Sequence, residues 1–192
     1  MPGSIDELAA SIDEVAASTM FSGVVRVDRA GETIVGAAYG AARRDLAVAN
    51  TLETTFALAS GAKTFTALTV LSLVDDGTLD LATTARSVLG ADLPLIDDAV
   101  TVEQLLSHYS GIGDYLDENN DWSATDYVMP VPVHELATTE DYLKVLDGFP
   151  QKARPGERFE YCNGGYVVLA LIAERASGTD YHELVSERVC RR

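Results

Sequence analysis

Cysteine, histidine and positive charge are all scarce in this chain, and each scarcity removes a class of function. There are two cysteines, Cys162 and Cys190, and three histidines, His108, His134 and His182, spread widely over 192 residues. No CxxC pair or Cys/His cluster forms, so a structural zinc site has no support and the three histidines read as non-ligands. Lys and Arg number 14 against 30 Asp and Glu, a net charge of −16. Such a surface repels phosphate backbones and anionic lipid, which argues against nucleic-acid and membrane partners. There is no GxxxxGK[ST] loop to cradle a nucleotide, and no cofactor is expected. Apolar stretches are broken by polar residues well short of the roughly 18 that a spanning helix needs. The opening residues MPGSIDEL show neither the basic nor the apolar region of a secretory signal, which leads to the expectation of a cytoplasmic protein.

What is present is ordinary globular material. Hydrophobic residues make up 47% of the chain, enough to build one domain or two small lobes. Acids crowd between Asp114 and Asp147, where Lys144 is the one Lys or Arg. That stretch reads as a solvated helical surface.

The pattern of apolar residues orders the elements. Ser4 and Glu7 form a capping box, and Ile5, Leu8, Ile12 and Val15 follow at helical spacing, predicting a helix over residues 5–18. Residues 22–28 and 33–39, joined by a turn at 29–32, predict a β-hairpin. Residues 41–54 read as loop. Residues 60–76 predict a helix that is apolar around most of its circumference, and such a helix is usually buried. Gly77 ends it. Thr101 and Gln104 cap a short helix reaching about His108. Residues 111–132 read as irregular, 139–146 as helix, 164–176 as an apolar helix ended by Gly178, and 181–190 as a last helix. A two-stranded hairpin is marginal by itself and needs further strands or a packed helix.

Two constellations carry chemistry. Ser60-Gly61-Ala62-Lys63 is an S-x-x-K at the start of a helix. Positions i and i+3 share a helix face, with Cβ atoms about 5–6 Å apart, so the serine hydroxyl has an amine beside it. The helix N-terminus adds unpaired N–H groups and positive dipole charge for an oxyanion. By itself the motif also fits a serine cap followed by a surface lysine, although a lysine on a helix this apolar would be partly buried and need a partner. Tyr161-Cys162-Asn163 is a Y-x-N just before the next apolar helix. A tyrosine and an asparagine two apart on extended backbone point the same way. The phenol can relay a proton, and the amide can bond both a lysine and a substrate amide. Alone, that pair also fits a packed tyrosine and a helix cap.

Together, and in this order, the two motifs resemble the serine β-lactamase and penicillin-binding-protein superfamily, in particular its class C β-lactamase-like esterase group. The flanking residues sharpen the likeness. TFALASGAKTFTAL at 55–68 resembles that family's nucleophile helix, and GTLDL at 77–81 its exit. LLSHYSG at 105–111 is similar to the family's leucine-leucine-threonine-histidine-x-serine-glycine segment. RPGERFEYCN at 154–163 resembles the approach to Y-x-N, and YVVLALIAE at 166–174, with Ser177, Gly178 and Tyr181, the helix that follows. The resemblance spans roughly residues 21–189.

The resemblance implies an α+β fold: a helical subdomain plus part of an antiparallel sheet, here one partial domain over residues 1–192. Its parts would be a helix at 5–18, a hairpin at 22–40, the nucleophile helix at 60–76, a mostly helical subdomain at 80–163 and helices at 164–190. It implies Ser60 as nucleophile, Lys63 and Tyr161 as the proton-handling pair, Asn163 as the substrate-binding amide and the Ser60 N–H as half of an oxyanion hole. No metal is implied. His108 is expected to be structural and Cys162 a small space-filler. The substrate would be an ester, a β-lactam or a D-amino-acid amide, cleaved through an acyl-serine.

The likeness breaks at the family's third motif, a Lys or His followed by x-Gly on a sheet strand, which has no counterpart after Asn163. The expectation is therefore that C-terminal sheet strands are missing and that a further segment or a complementary chain supplies them. The competing expectation is a non-catalytic binding module, or a piece of a split protein.

Overall fold

The computed structural model describes residues 4–118 and 126–191. Residues 119–125, part of the stretch expected to be irregular and acidic, lie outside the described residues. The chain divides into two compact units, Met1–Leu58 and Ala59–Arg192.

The first unit starts with helix α1, Ile5–Thr19, opened by the Ser4/Glu7 capping box and closed by Met20 in the left-handed conformation. Strands β1 (Gly23–Arg29) and β2 (Glu32–Tyr39) form the expected antiparallel hairpin, with Val27 opposite Val35 and an irregularity between Val27 and Asp28. Ala30 and Gly31 both take positive φ at the turn, the backbone twist that suits a two-residue hairpin loop. Tyr39 Oη donates to Asp13 at 2.6 Å, tying β2 to α1. The loop expected over residues 41–54 contains instead a second small hairpin, β3 (Ala41–Arg43) and β4 (Val48–Ala49). Strands of three and two residues are too short to display alternation. The side chain of Asn50 donates to Tyr39 O at 2.7 Å and Ser22 Oγ at 3.2 Å, binding the two hairpins together.

The second unit is helical and holds the main core. A 3₁₀ turn at Ala59–Gly61 leads into helix α2, Ala62–Asp75. The helix expected from residue 60 thus begins two residues later, and Ser60 rides on the tighter turn. Ala59, just before it, has φ +46°. Gly77 follows α2 at φ +79°, as expected of a helix stop. Then come α3 (Ala85–Leu89), unrecognised in the sequence because it is one turn and a half long, and α4 (Val102–Leu106), with its Thr101/Gln104 capping box. Helix α4 stops short of the expected His108, which itself adopts φ +60°. Residues 139–146 divide into a 3₁₀ turn, Glu140–Tyr142, and α5, Leu143–Leu146. Helix α6, Asn163–Ser177, ends at Gly178 in the left-handed conformation. The helix expected over 181–190 is α7, Tyr181–Val185, continued by a π-helical turn at Ser186–Cys190.

Helix α6 is the axis of this unit. Val168, Leu169, Leu171 and Ile172 are fully buried, and they meet Val70 and Leu73 of α2, Leu89 of α3, Leu105 of α4 and Leu184 of α7. Each fully buried side chain of this size contributes about 1.5–3 kcal/mol. Helix α2, expected to be buried, is buried on one face only. Thr66, Thr69, Val70 and Leu73 face inward, while Leu68 and Leu71 remain 49% and 44% exposed. Within this unit α6, α7 and the π-helical turn cover one side of α2, and no described element covers the other.

The acidic stretch also differs from expectation. Its described residues are loop, 3₁₀ turns and one short helix, and Asp114 is 5% exposed rather than solvated. Its carboxylate accepts three backbone N–H groups, those of Leu116, Asn163 and Gly164, as a buried charge must.

Candidate active site

The site lies wholly within the second unit and is built where the start of α2 meets the start of α6. Ser60 and Tyr161, separated by 101 positions, come together with their oxygens 2.7 Å apart. Lys63, one turn beyond Ser60, donates from Nζ to Ser60 Oγ at 3.2 Å and to Asn163 Oδ1 at 2.8 Å. The same Nζ stands 4.9 Å from the centre of the Tyr161 ring, within reach of its negative face. All four residues singled out in the sequence therefore form one connected hydrogen-bonded group. Ser60 is exposed, Lys63 and Tyr161 are half-buried and Asn163 is buried.

Local structure explains the placement. The extended backbone of Cys162 sends Tyr161 and Asn163 to the same side, and Asn163 then begins α6. The start of that helix is held by Asp114, which the sequence reading missed. Asp114 Oδ2 accepts the Asn163 N–H, and its Oδ1 accepts the Gly164 N–H at 2.9 Å. A carboxylate on the first N–H groups of a helix satisfies orphan donors and meets the positive end of the dipole. The glycine leaves little room to spare: a Cβ on Gly164 would sit 3.2 Å from Asp114 Oδ1. In the sequence Asp114 is one acid in a run of acids, and nothing in that run marks the one that turns inward.

The amide of Asn163 is fixed end for end. Its Nδ2 donates to Glu118 Oε1 at 2.9 Å and to Leu116 O at 3.2 Å. Both partners are acceptors, so Oδ1 must face Lys63. Glu118 and the Leu116 carbonyl were likewise invisible in the sequence.

Cys162 is more than a space-filler. Its Sγ accepts the Gly165 N–H at 3.2 Å and so caps α6. Burial, and then the Asp114 charge, push the thiol up to about 12, so it stays protonated and is no competing nucleophile. His108 packs behind the site. Its imidazole lies 4.5 Å from the Tyr161 ring and 5.1 Å from the Tyr166 ring, and Nδ1 accepts the Cys162 N–H at 3.1 Å. Burial, then the charge of Lys63, hold the His108 pKa below its ordinary value, with Asp114 opposing them.

Beside Lys63 lies a groove of about 590 Å³, lined by Thr66, Tyr115, Tyr142, Asn163 and Tyr166 among others. It is of the size that accommodates a small organic group next to the serine. Among the described residues no cluster of His, Cys, Asp or Glu could hold a metal ion, and no helix is long and apolar enough to cross a membrane.

Known proteins resemble this chain in sequence and fold. The family model described as Beta-lactamase matches residues 8–192. Penicillin-binding protein 4* of Bacillus subtilis (strain 168) is 29% identical over 171 residues, covering 88% of this chain and 36% of that protein. Penicillin-binding protein 4 of Amycolatopsis lactamdurans is 32% identical over 156 residues, covering 79% of this chain and 38% of that protein. The crystal structure of a penicillin binding protein from Bacillus halodurans superposes with a TM-score of 0.80 at 32% identity, over 91% of this chain and 52% of that one. The chain thus spans between about a third and about half the length of these relatives. Its fold is the mixed helix-and-strand fold of β-lactamases and penicillin-binding proteins, and the chain belongs to the β-lactamase family.

Proposed function

We propose that this chain carries the acylating centre of a serine hydrolase that acts on an ester, a β-lactam or a D-amino-acid amide. The observation that supports this most directly is the serine hydroxyl held at 2.7 Å from Tyr161 Oη and 3.2 Å from Lys63 Nζ. Ser60 Oγ attacks the substrate carbonyl carbon, and its proton passes to whichever member of the Lys63–Tyr161 pair enters the step as its base form, the Nζ amine or the phenolate. The oxyanion that forms meets the Ser60 N–H. As the tetrahedral species collapses, the bond to the leaving group breaks and the pair returns the proton to it. Water then adds to the acyl-serine, giving its proton to the same pair. The Oγ–carbon bond breaks, and the proton goes back to Ser60. The groove beside Lys63 receives the acyl part.

The relatives are named penicillin-binding proteins, which supports a penicillin as the first probe. In the whole protein, the exposed Leu68 and Leu71 face of α2 is read as lying against sheet strands supplied from outside these 192 residues. A second oxyanion donor would come from the same source. That open face also supports the alternative reading, a binding module or a fragment of a split protein.

The test is incubation of the full chain with a labelled penicillin or a fluorophosphonate, followed by intact mass. A single adduct that disappears in Ser60→Ala supports the hydrolase. A full-length protein, carrying the strands read as lying outside these 192 residues, that acquires no adduct on Ser60 supports the binding module and ends the catalytic reading.

A further inference from the structure

His108 occupies an unusual place. It is the second residue past the end of α4, with φ +60°, where helix ends commonly place glycine or asparagine. A non-glycine residue held in the left-handed region costs on the order of 1 kcal/mol or more and persists only where its surroundings over-determine it. The surroundings here are specific. The His108 carbonyl accepts the Glu160 N–H at 2.8 Å, and its ring Nδ1 accepts the Cys162 N–H at 3.1 Å. These two bonds grip the backbone on either side of Tyr161. Between them, the imidazole lies 4.5 Å from the Tyr161 ring, tilted by 34°. Phe159 meets the same imidazole edge-on at 5.8 Å, and Tyr166, tilted by 34°, at 5.1 Å.

We propose that His108 is a positioning residue for the acylation proposed above: as a neutral imidazole protonated on Nε2, it holds the Tyr161 phenol against Ser60, and taking up a proton on Nδ1 releases that hold. The inference rests on reading Tyr161 as the partner of Ser60. Its chemistry is simple. A protonated Nδ1 is a donor facing the Cys162 N–H, itself a donor, so the bond becomes a repulsion. The new charge also falls near Lys63. The charged groups facing the ring are Lys63 from α2 and Asp114 from the segment after α4. Tyr161 and Cys162, before α6, and Tyr166, on α6, are the other titratable neighbours. Burial and Lys63 together favour the neutral ring, so the grip is intact at neutral pH and fails in acid.

The experiment compares the wild-type full chain with His108→Asn and His108→Gly. Asparagine tolerates the left-handed backbone and offers an oxygen where Nδ1 stood, but it does not titrate. Glycine keeps the backbone and removes the acceptor. With ring-labelled tyrosine, the Tyr161 resonance of the wild type is expected to move with the same midpoint as the His108 imidazole, below 6.5. That step is expected to vanish in His108→Asn. Labelling of Ser60 by a fluorophosphonate should fall with the same midpoint in the wild type. In His108→Asn it should stay near the wild-type neutral rate and lose that acid step. In His108→Gly it should drop at neutral pH by about 10- to 100-fold, the cost of a misplaced catalytic group.

A Tyr161 resonance indifferent to the His108 titration overturns the proposal, as does an acid step that survives in His108→Asn. If the wild type takes no label at any pH, the catalytic reading of Ser60 fails, and the Tyr161 resonance still decides the role of His108.

Discussion

Lys63 Nζ reaches across 100 positions to donate to Asn163 Oδ1 at 2.8 Å, while the other end of that amide is held by Glu118 and Leu116. Lysine and asparagine thus orient each other, and Nζ is left aimed at Ser60. Replacing Lys63 by Met removes the amine and keeps most of the stem. Acylation of Ser60 is expected to fall by about 10²- to 10⁴-fold, the usual contribution of a positioned proton carrier. The buried Asn163 Oδ1 also loses its donor, so the melting temperature should fall as well, and stopped-time mass spectrometry with parallel melts separates the two effects.

Asp114 carries the start of α6. In Asp114→Ala the N–H groups of Asn163 and Gly164 lose their acceptor, and each orphaned buried donor costs about 1–3 kcal/mol. Asp114→Asn keeps an acceptor oxygen and should lose less. Urea unfolding of both variants measures the difference. Equal losses would mean that the carboxylate charge carries all of the effect.

Gly111 and Gly77 form a matched pair, with φ +65° and +79°. A Cβ on Gly111 would stand 2.4 Å from the Ala153 carbonyl oxygen, whereas one on Gly77 meets nothing within 4 Å. Gly77→Ala should therefore cost roughly 1 kcal/mol, the strain of a left-handed alanine. Gly111→Ala adds a backbone collision and should cost several times more, or abolish soluble expression. Similar losses at the two positions would show that the carbonyl moves aside freely.

Stability should depend on pH through His108. Its folded pKa lies below its ordinary value of 6.5, so the unfolded chain binds the proton more readily. Stability from this residue is therefore complete above about 6.5 and is lost as pH falls from there to the lower folded midpoint. Urea midpoints at pH 7.5 and 5 should differ less in His108→Asn than in the wild type. An unchanged difference would assign the acid sensitivity to other groups.

The open face of α2 gives a fifth test. Leu68 and Leu71 are 49% and 44% exposed, so Leu68→Gln/Leu71→Gln in these 192 residues should change stability by no more than about 0.5 kcal/mol per site, as at ordinary surface positions. It should also reduce binding of an apolar dye. In a chain that carries the further strands, the same pair should cost several kcal/mol. A fully cooperative monomeric melt of the 192 residues, with no dye binding, would count against any covering segment.

Much of this molecule can be read from the order of its residues. The capping boxes at Ser4 and Thr101, the helix stops at Gly77 and Gly178 and the apolar course of α6 are local features, set by side chains within a few positions of each other. Ser60, Lys63, Tyr161 and Asn163 could be named because S-x-x-K and Y-x-N are local motifs and their order along the chain is distinctive. The short strands β3 and β4 and the helix α3 could not, since they are too brief to show a period.

What only the tertiary structure decided is what touches those motifs. Asp114 became a helix cap rather than one more surface acid because the chain folds back to present it to two N–H groups. Glu118 and Leu116 turned the Asn163 amide the right way round. His108, two residues past a short helix, became a clamp on Tyr161. Each of these contacts joins residues about fifty positions apart. Such pairings depend on how the loops close over α6, and no periodicity or motif in the sequence encodes that closure.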